Sequence, residues 1–262
     1  MLTTFDSIYL NFDYFLLLIL RVSGLLISSP IFGRKNIPNT AKIAFCIMLS
    51  YLMFVAFPPV RLAYTHLFGY AMMAILELLF GVAMGYVTTL FFQLTFTAGQ
   101  IIDMQIGFGM VNLFDPSSDM NIPITGSLLN LIMLISFFVV NGHHKIIAIL
   151  YSTISTIPIG QVTLSFSIAG AALMVFSLAF MLAVNVAMPI IVSGILGEAV
   201  LGLLIRTVPQ LNVFVVGIPV KIVIGLIMLI FMVPIFVFFT QGLFDRMFEG
   251  METMFRNLMG VA

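Results

Sequence analysis

Five ionisable side chains lie within, or at the end of, long apolar stretches of this sequence, and they are the first candidates for chemistry. An ionisable group in a membrane helix costs about 2.5–3.5 kcal/mol on insertion scales, so it normally faces protein or water and has a partner. Such groups form either structural ion pairs or a proton or ion pathway. Only two of the five are acids, and no Asp/Glu/His relay connects them, so we predict charges paired across helix or subunit interfaces: Arg21, Glu77, Glu198, Arg206 and Lys221.

Both acids stand in rows of glycines at four-residue spacing. Residues four apart lie above one another on one face of a helix, and small residues there let a second backbone approach closely. An acid on the same face points into that contact. Glu77 heads one row and Glu198 lies within the other, and the close-packing glycines predicted around them are Gly81, Gly85, Gly194 and Gly202.

Catalytic and metal-binding patterns are missing from the sequence. His143 and His144 are adjacent, so on a helix they point about 100° apart and suit one metal ion poorly. We interpret them, after Asn141-Gly142, as part of a polar turn. There is no Walker loop, nucleophile elbow, zinc-binding H-E-x-x-H or dinucleotide fingerprint. We therefore expect no enzyme activity, metal or cofactor, and the formal net charge of zero gives no reason to expect nucleic acid binding.

The stretch GFGMVNLFDP, residues 107–116, is too rich in glycine for a secure helix and too apolar for a loop in water. Its glycines supply backbone freedom. Irregular backbone at membrane depth is tolerated where it is buried in protein or lines a cavity. Two interpretations follow: the side chains pack beneath a re-entrant loop, or they line and close an opening. The residues concerned are Gly107, Phe108, Gly109, Met110, Leu113 and Phe114.

The composition indicates an all-α integral membrane protein. The chain is 62% hydrophobic and 8% charged, where soluble domains carry about 25% charged residues. A span takes roughly 20 apolar residues, and some stretches are much longer. Pro189 should kink or break the fifth, and NGHHK at 141–145 divides the fourth. We predict long kinked helices and hairpins, with candidate segments at 14–32, 43–60, 67–98, 127–158, 166–205 and 217–240.

The connection between the third and fourth segments, residues 99–126, does not follow the usual charge rule. Alternation from the basic residues after the first segment would place it in the cytoplasm, where loops carry an excess of Lys and Arg. It has none of either, but it has Asp103, Asp115 and Asp119. Hydropathy therefore indicates helices in a membrane without assigning their topology.

The tail from Gln241 has apolar residues spaced four, three, four and three apart, which is a narrow seam on one helix face. A helix with this pattern lies in the membrane interface or docks on a partner helix. The seam consists of Phe244, Phe248, Met251, Phe255 and Leu258.

Several of these stretches, taken in order, resemble the R-type subunits of type III export gates, the FliR/SpaR/YscT family, and its flagellar FliR members in particular. The resemblance covers nearly the whole chain. The run PQLNVFVVG leans towards the flagellar members, and at the polar turn this chain has Asn141 where Gly is expected. The stretches are RVSGLLISSPIFGRKNIP (21–38), ELLFGVAMGY (77–86), AGQIIDMQIGFGMVNLFDP (98–116), NGHH (141–144) and PQLNVFVVGIP (209–219).

The resemblance implies a subunit that forms and seals the pore through which unfolded flagellar proteins are exported. One copy would join several copies of companion P-type and Q-type subunits in a helical hetero-oligomer, together with B-type and A-type export proteins. The assembly would lie in the bacterial inner membrane at the flagellar basal body, in contact with lipid and projecting towards the periplasm.

The resemblance also implies a division of the chain. Residues 1–185 would be similar to a P subunit and would carry a pore-plugging loop at 106–122. Residues 186–240 would be a Q-like hairpin bent at PQLNVFVVGIPVKI, and 241–262 an amphipathic C-terminal helix. Apolar side chains in a constriction exclude water and hence ions, which suits a plug.

Two other functions are compatible with the sequence. An injectisome export gate would have the same mechanics and different cargo. A secondary transporter or ion channel would account for intramembrane charges and proline-interrupted helices, although no convincing inverted repeat is present.

Overall fold

The computed structural model describes residues 8–34, 36–60, 62–64, 66–108, 123–163, 167–207 and 213–258. Every described helix of 15 residues or more is an α-helix. We number them α1 Phe12–Ser28, α2 Asn39–Ala56, α3 Leu67–Ile106, α4 Ile124–Val139, α5 Gly142–Thr156, α6 Ser167–Thr207 and α7 Val213–Leu258.

Three helices are much longer than a membrane requires. α3, α6 and α7 contain 40, 41 and 46 residues, so at 1.5 Å per residue each is about 60–70 Å long, twice the thickness of the hydrocarbon core. Among the described residues, four helices are long and apolar enough to cross a membrane, or up to five if the bent pair α4–α5 counts as one span. The chain is an all-α integral membrane protein, as the composition predicts.

The break predicted at Pro189 does not occur. α6 runs as one helix from Ser167 to Thr207 with Pro189 inside it, and α7 likewise contains Pro219 and Pro234. A proline in a membrane helix is tolerated because neighbouring groups and local adjustments satisfy the freed backbone carbonyl. Proline alone therefore does not identify the end of a helix in this chain.

The predicted polar turn at 141–145 lies at the junction of α4 and α5. Asn141 adopts the left-handed conformation, with φ 55° and ψ 32°. Its carbonyl accepts hydrogen bonds from the backbone N–H groups of His144 and Lys145, at 3.0 and 3.3 Å. Asparagine tolerates this backbone region better than most residues other than glycine, which explains how it replaces the glycine expected at this position.

Packing divides the chain into two units, each made of separate stretches. One unit comprises residues 1–90, 141–176 and 245–262, and the other comprises 91–140 and 177–244. We call them the first and the second unit. The division predicted from the resemblance, at 185 and 240, concerns likeness to companion subunits and not packing, so it stays a prediction.

The C-terminal seam is covered within the chain itself. Residues 241–258 are the last part of α7, and Met251 there is fully buried in the first unit. Phe255 meets Phe80 of α3 edge to face, with ring centroids 6.2 Å apart. The two roles predicted for this seam, lying in the membrane interface and docking on a partner helix, are therefore wrong for its described apolar face. The spacing identified the face but could not identify the surface that covers it.

Candidate functional site

Arg21 and Glu77 form a completely buried ion pair in the first unit. Arg21 Nε lies 2.6 Å from Glu77 Oε2, and Nη2 lies 3.1 Å from Oε1. Both side chains have no exposed surface. Glu77 also accepts a hydrogen bond from the backbone N–H of Gly160 at 2.7 Å. Each carboxylate oxygen therefore has a donor, as a buried charge requires.

The guanidinium has further partners at the C-terminal end of α5. Arg21 Nη1 donates to the carbonyl oxygen of Ile157 at 3.0 Å and to that of Thr153 at 3.5 Å. Its Cζ lies 4.6 Å from the ring centroid of Phe80. Carbonyls at a helix C-terminus lack helical partners and carry partial negative charge, which favours a cation there. The pair thus joins α1, α3 and the end of α5.

Next to this pair, α1 and α3 approach backbone to backbone. A β-carbon on Gly24 would lie 2.5 Å from the carbonyl oxygen of Leu78, and one on Gly81 would lie 3.0 Å from the Cα of Gly24 and clash with the Arg21 carbonyl. One on Gly85 would lie 2.8 Å from the Leu25 carbonyl oxygen. The sequence prediction missed Gly24, although its position three residues after Arg21 was an available signal.

Glu198 and Lys221 form a second ion pair, between α6 and α7 in the second unit. Lys221 Nζ lies 2.5 Å from Glu198 Oε1. This pair differs from the first in exposure, because 57% of the Glu198 side chain and 27% of the Lys221 side chain remain accessible. An exposed pair contributes little to the stability of a single chain. Glu198 and Lys221 are the only charged residues in the 167–205 part of α6 and the 213–240 part of α7.

The other predicted positions on α6 differ in their surroundings. Gly194 packs against the side chain of Gln105, whereas a β-carbon on Gly202 would meet no atom within 4 Å. Arg206 is exposed in the last turn of the helix. Among the described residues Gly202 therefore has no close-packing neighbour, and its packing against another subunit stays a prediction.

The two ends of the predicted plug loop are held together at their base. The Asp103 carboxylate on α3 accepts hydrogen bonds from the hydroxyl of Thr125 and from its backbone N–H, the latter at 3.3 Å. Gly99 and Gly126 are in close contact, since a β-carbon on Gly99 would clash with the backbone of Gly126. Asp103 therefore lies on a helix and serves the first turn of α4, a favourable place for an anion.

This arrangement corrects the prediction that residues 99–126 form one loop. α3 continues to Ile106, and 93% of Asp103 is buried. The sequence predicts a loop position for Asp103 because charge alone does not indicate that a side chain caps a helix in a distant sequence segment. One turn and a half further along, Asn130 donates to Thr95 Oγ1 at 3.1 Å, which extends the contact between α3 and α4.

Two of the six predicted plug residues are described by the structure. Gly107 ends α3 with φ 100°, and its N–H bonds to the carbonyl of Asp103 at 3.1 Å. A glycine in this conformation just after a helix is a common C-terminal stop. Phe108 is half-buried. The other four, Gly109, Met110, Leu113 and Phe114, lie outside the described residues.

The rings of His143 and His144 lie beside each other at an angle of 44°, with centroids 4.1 Å apart. Within the described ranges, no group of three or more His, Cys, Asp or Glu side chains is placed to hold a metal ion.

Comparison with known proteins places this architecture among export proteins. The family model described as bacterial export proteins, family 1, matches residues 12–247. The flagellar biosynthetic protein FliR of Bacillus subtilis (strain 168) is 31% identical over 261 residues, which cover 98% of each chain. FliR of Escherichia coli (strain K12) is 29% identical over 88% of each chain. FliR of Aquifex aeolicus (strain VF5) is 29% identical over 88% of this chain and 90% of its own.

Proposed function

This chain belongs to the bacterial export proteins, family 1, and we propose that it forms and seals the pore of the export gate in which it works. It is a subunit of the flagellar type III protein export gate, and it is located in the inner membrane at the flagellum. The proposal adds that it is the single R-type subunit, with several P-type and Q-type copies around it. The B-type and A-type export proteins complete the apparatus, which projects towards the periplasm.

The observation that supports a sealing role is the closed base of the 107–122 segment. Asp103 and Thr125 hold the two flanking helices together, so the described residues on either side of this sixteen-residue segment lie side by side. The segment contains Phe108, Met110, Leu113 and Phe114. A short apolar segment on a fixed base is suited to block a narrow opening by excluding water from it.

The surface of the chain supports an assembled pore rather than a lone carrier. Large apolar side chains are exposed along α6 and α7, among them Leu203, Phe231 and Phe238, which are 65%, 67% and 80% exposed. Extended exposed apolar surface marks contact with lipid or with protein partners. The half-exposed pair of Glu198 and Lys221 on the same helices favours protein over lipid there, because a charge facing lipid is costly.

Deleting residues 107–114 tests the proposal in cells. The base stays intact, and the eight residues that remain can span up to about 26 Å, ample for ends held side by side by Asp103 and Thr125. We expect assembled gates that leak ions or small solutes, measured by uptake of a small solute. A deletion of 115–122 shortens the segment equally but keeps the apolar residues, so it should leak less. Equal leakage from the two deletions, or none from either, contradicts the proposal.

A further inference from the structure

In the second unit, α6 and α7 each pack closely against the end of α3 at a glycine. We call α6 and α7 the terminal hairpin. Gly194 of α6 faces Gln105, and Gly225 of α7 faces Ile106. Gln105 and Ile106 are the last two residues of α3, directly before Gly107. We call these four residues the stem clamp. From this juxtaposition we propose that Gly194 and Gly225 are positioning residues, which fix the stem of the 107–122 segment to the hairpin.

The fit at Gly225 is tight and stiff. A β-carbon there would lie 2.6 Å from Ile106 Cγ1, 3.0 Å from Cγ2 and 3.2 Å from Cβ, where carbon atoms prefer about 3.5–4.0 Å. Isoleucine on a helix has one strongly preferred χ1 rotamer. The side chain of Ile106, which is 2% exposed, therefore cannot turn away from an added methyl group. Either the stem or α7 must move.

The fit at Gly194 is also close, but its neighbour is adaptable. A β-carbon there would lie 2.6 Å from Cγ and 2.7 Å from Cδ of Gln105. Among the described residues, no group pairs with the buried Nε2 of Gln105, so shape rather than a hydrogen bond holds this side chain. Glutamine is unbranched and can change rotamer. The two glycines therefore make different predictions: alanine at 225 displaces the stem more than alanine at 194.

Neighbouring glycines show that the contact is local. Gly197 and Gly202, on the same helix as Gly194, would each accept a β-carbon with no atom of the described residues within 4 Å. The clamp leaves a cavity of only about 10 Å³, at most the room for one water molecule. Close packing of the hairpin is thus present where it meets the stem, and Gly202 provides a matched control.

The ion pair of the hairpin lies one helical turn from each glycine of the clamp. Glu198 follows Gly194 by four residues and Lys221 precedes Gly225 by four, so each charge and its glycine share a helix face. The bond between Lys221 and Glu198 joins α6 to α7 beside the clamp.

Distances between spin labels in the purified export-gate complex test this inference. Labels are attached to Met104→Cys and Val223→Cys, both at exposed positions, after replacement of Cys46 by alanine and of cysteines in the other subunits. We expect Gly225→Ala to shift the mean distance by about 1 Å, the overlap that must be relieved to restore ordinary contact. Gly194→Ala should shift it less, and Gly202→Ala should leave it unchanged.

A second change makes the test specific. Ile106→Ala removes the two γ-carbons that the new methyl group meets, so the double variant Ile106→Ala with Gly225→Ala should return to the original distribution. Ile106→Ala alone should broaden the distribution, which keeps the test decisive if Gly225→Ala prevents assembly. An unchanged distance distribution in Gly225→Ala overturns the inference. If only the Ile106→Ala complex assembles, an unchanged distribution in that variant overturns it. A shift in Gly225→Ala that the double variant fails to reverse also overturns it.

The positioning role matters only if the proposed sealing function is correct. Measuring ion leakage through the same complexes distinguishes failure of the positioning role from failure of the sealing function. If Gly225→Ala moves the stem and raises leakage, the result supports both the positioning role and the sealing function. If the stem moves without any leakage, the positioning role stands and the proposed seal fails. If the stem does not move, the positioning role fails whatever the leakage.

Discussion

Arg21 donates two hydrogen bonds to Glu77, at 2.6 and 3.1 Å, across the contact between α1 and α3. Since both side chains are fully buried, neither charge can turn to water if the other is lost. The backbone N–H of Gly160 completes the set of donors to Glu77. The pair is therefore a structural element of the first unit.

Glu77→Gln should destabilise the chain severely. The change leaves Arg21 as an uncompensated buried charge, and removing one partner of such a pair costs about 3–5 kcal/mol. We expect a large fall in the amount of protein in the membrane and in its unfolding temperature in detergent. Glu198→Gln is the matched control, because that carboxylate is more than half exposed. Equal stability of the two variants would show that the buried pair is dispensable.

Gly81→Ala should also destabilise the chain, for a steric reason. The new methyl group meets backbone atoms, the nitrogen of Leu25 at 2.9 Å and the Cα of Gly24 at 3.0 Å, and backbone cannot change rotamer. Overpacking of this kind costs about 1–3 kcal/mol, and leucine would be worse. Gly170→Ala lies on α6 where a β-carbon meets no atom of the described part of the chain within 4 Å. It should instead be neutral or stabilising, since alanine favours a helix over glycine by about 1 kcal/mol. Thermal unfolding of both variants checks this, and a stable Gly81→Ala protein contradicts it.

Part of this architecture follows from the sequence and part does not. The hydropathy of the sequence predicts the long helices. Because a charge within a membrane is costly, the sequence also predicts that Arg21 and Glu77 need partners. The partner of each charge depends on tertiary contacts between residues that are far apart in the sequence. The same holds for the capping of α4 by Asp103. Of the kink or break predicted at Pro189, the break does not occur, because α6 continues through this residue.

The C-terminal seam shows the same limit of local patterns. An apolar stripe indicates that one face of a helix is covered. Met251 in this stripe is fully buried. The stripe does not indicate whether lipid, a partner or the chain's own helices cover that face. The glycine rows behave likewise, because Gly81 meets α1 while Gly202 meets no atom of the described chain.

Gly202→Leu should impair assembly without unfolding the chain. No described atom lies within 4 Å of a β-carbon at this position, so the leucine side chain has room within the isolated subunit. We expect the companion P-type and Q-type subunits to be lost on purification, with little change in the unfolding temperature of the chain itself. Full recovery of the companions would show that this face of α6 is not closely packed in the gate.

Glu198→Gln should weaken assembly more than it changes the response to proton-motive force. The Glu198–Lys221 pair is accessible in the chain, so its loss costs the isolated subunit about 1 kcal/mol or less. In an assembled gate the pair would be covered, and Lys221 would then lack its partner. The measurements are the recovery of the complex and the export rate at different membrane potentials, each compared between Glu198→Gln and the wild type. A variant that assembles normally but no longer responds to proton-motive force would assign the pair to ion coupling.

The central claim is that the apolar residues of the 107–122 segment keep the pore closed to ions, and conductance of the purified gate in planar bilayers tests it most directly. Serine replaces Phe108, Met110, Leu113 and Phe114 together, which preserves the length of the segment and its base at Asp103 and Thr125. A constriction lined by hydroxyl groups stays wet, so it conducts ions that an apolar one excludes. We predict a closed wild-type gate and a steady ion current through the serine variant. A fully assembled serine variant as closed as the wild type would contradict the claim.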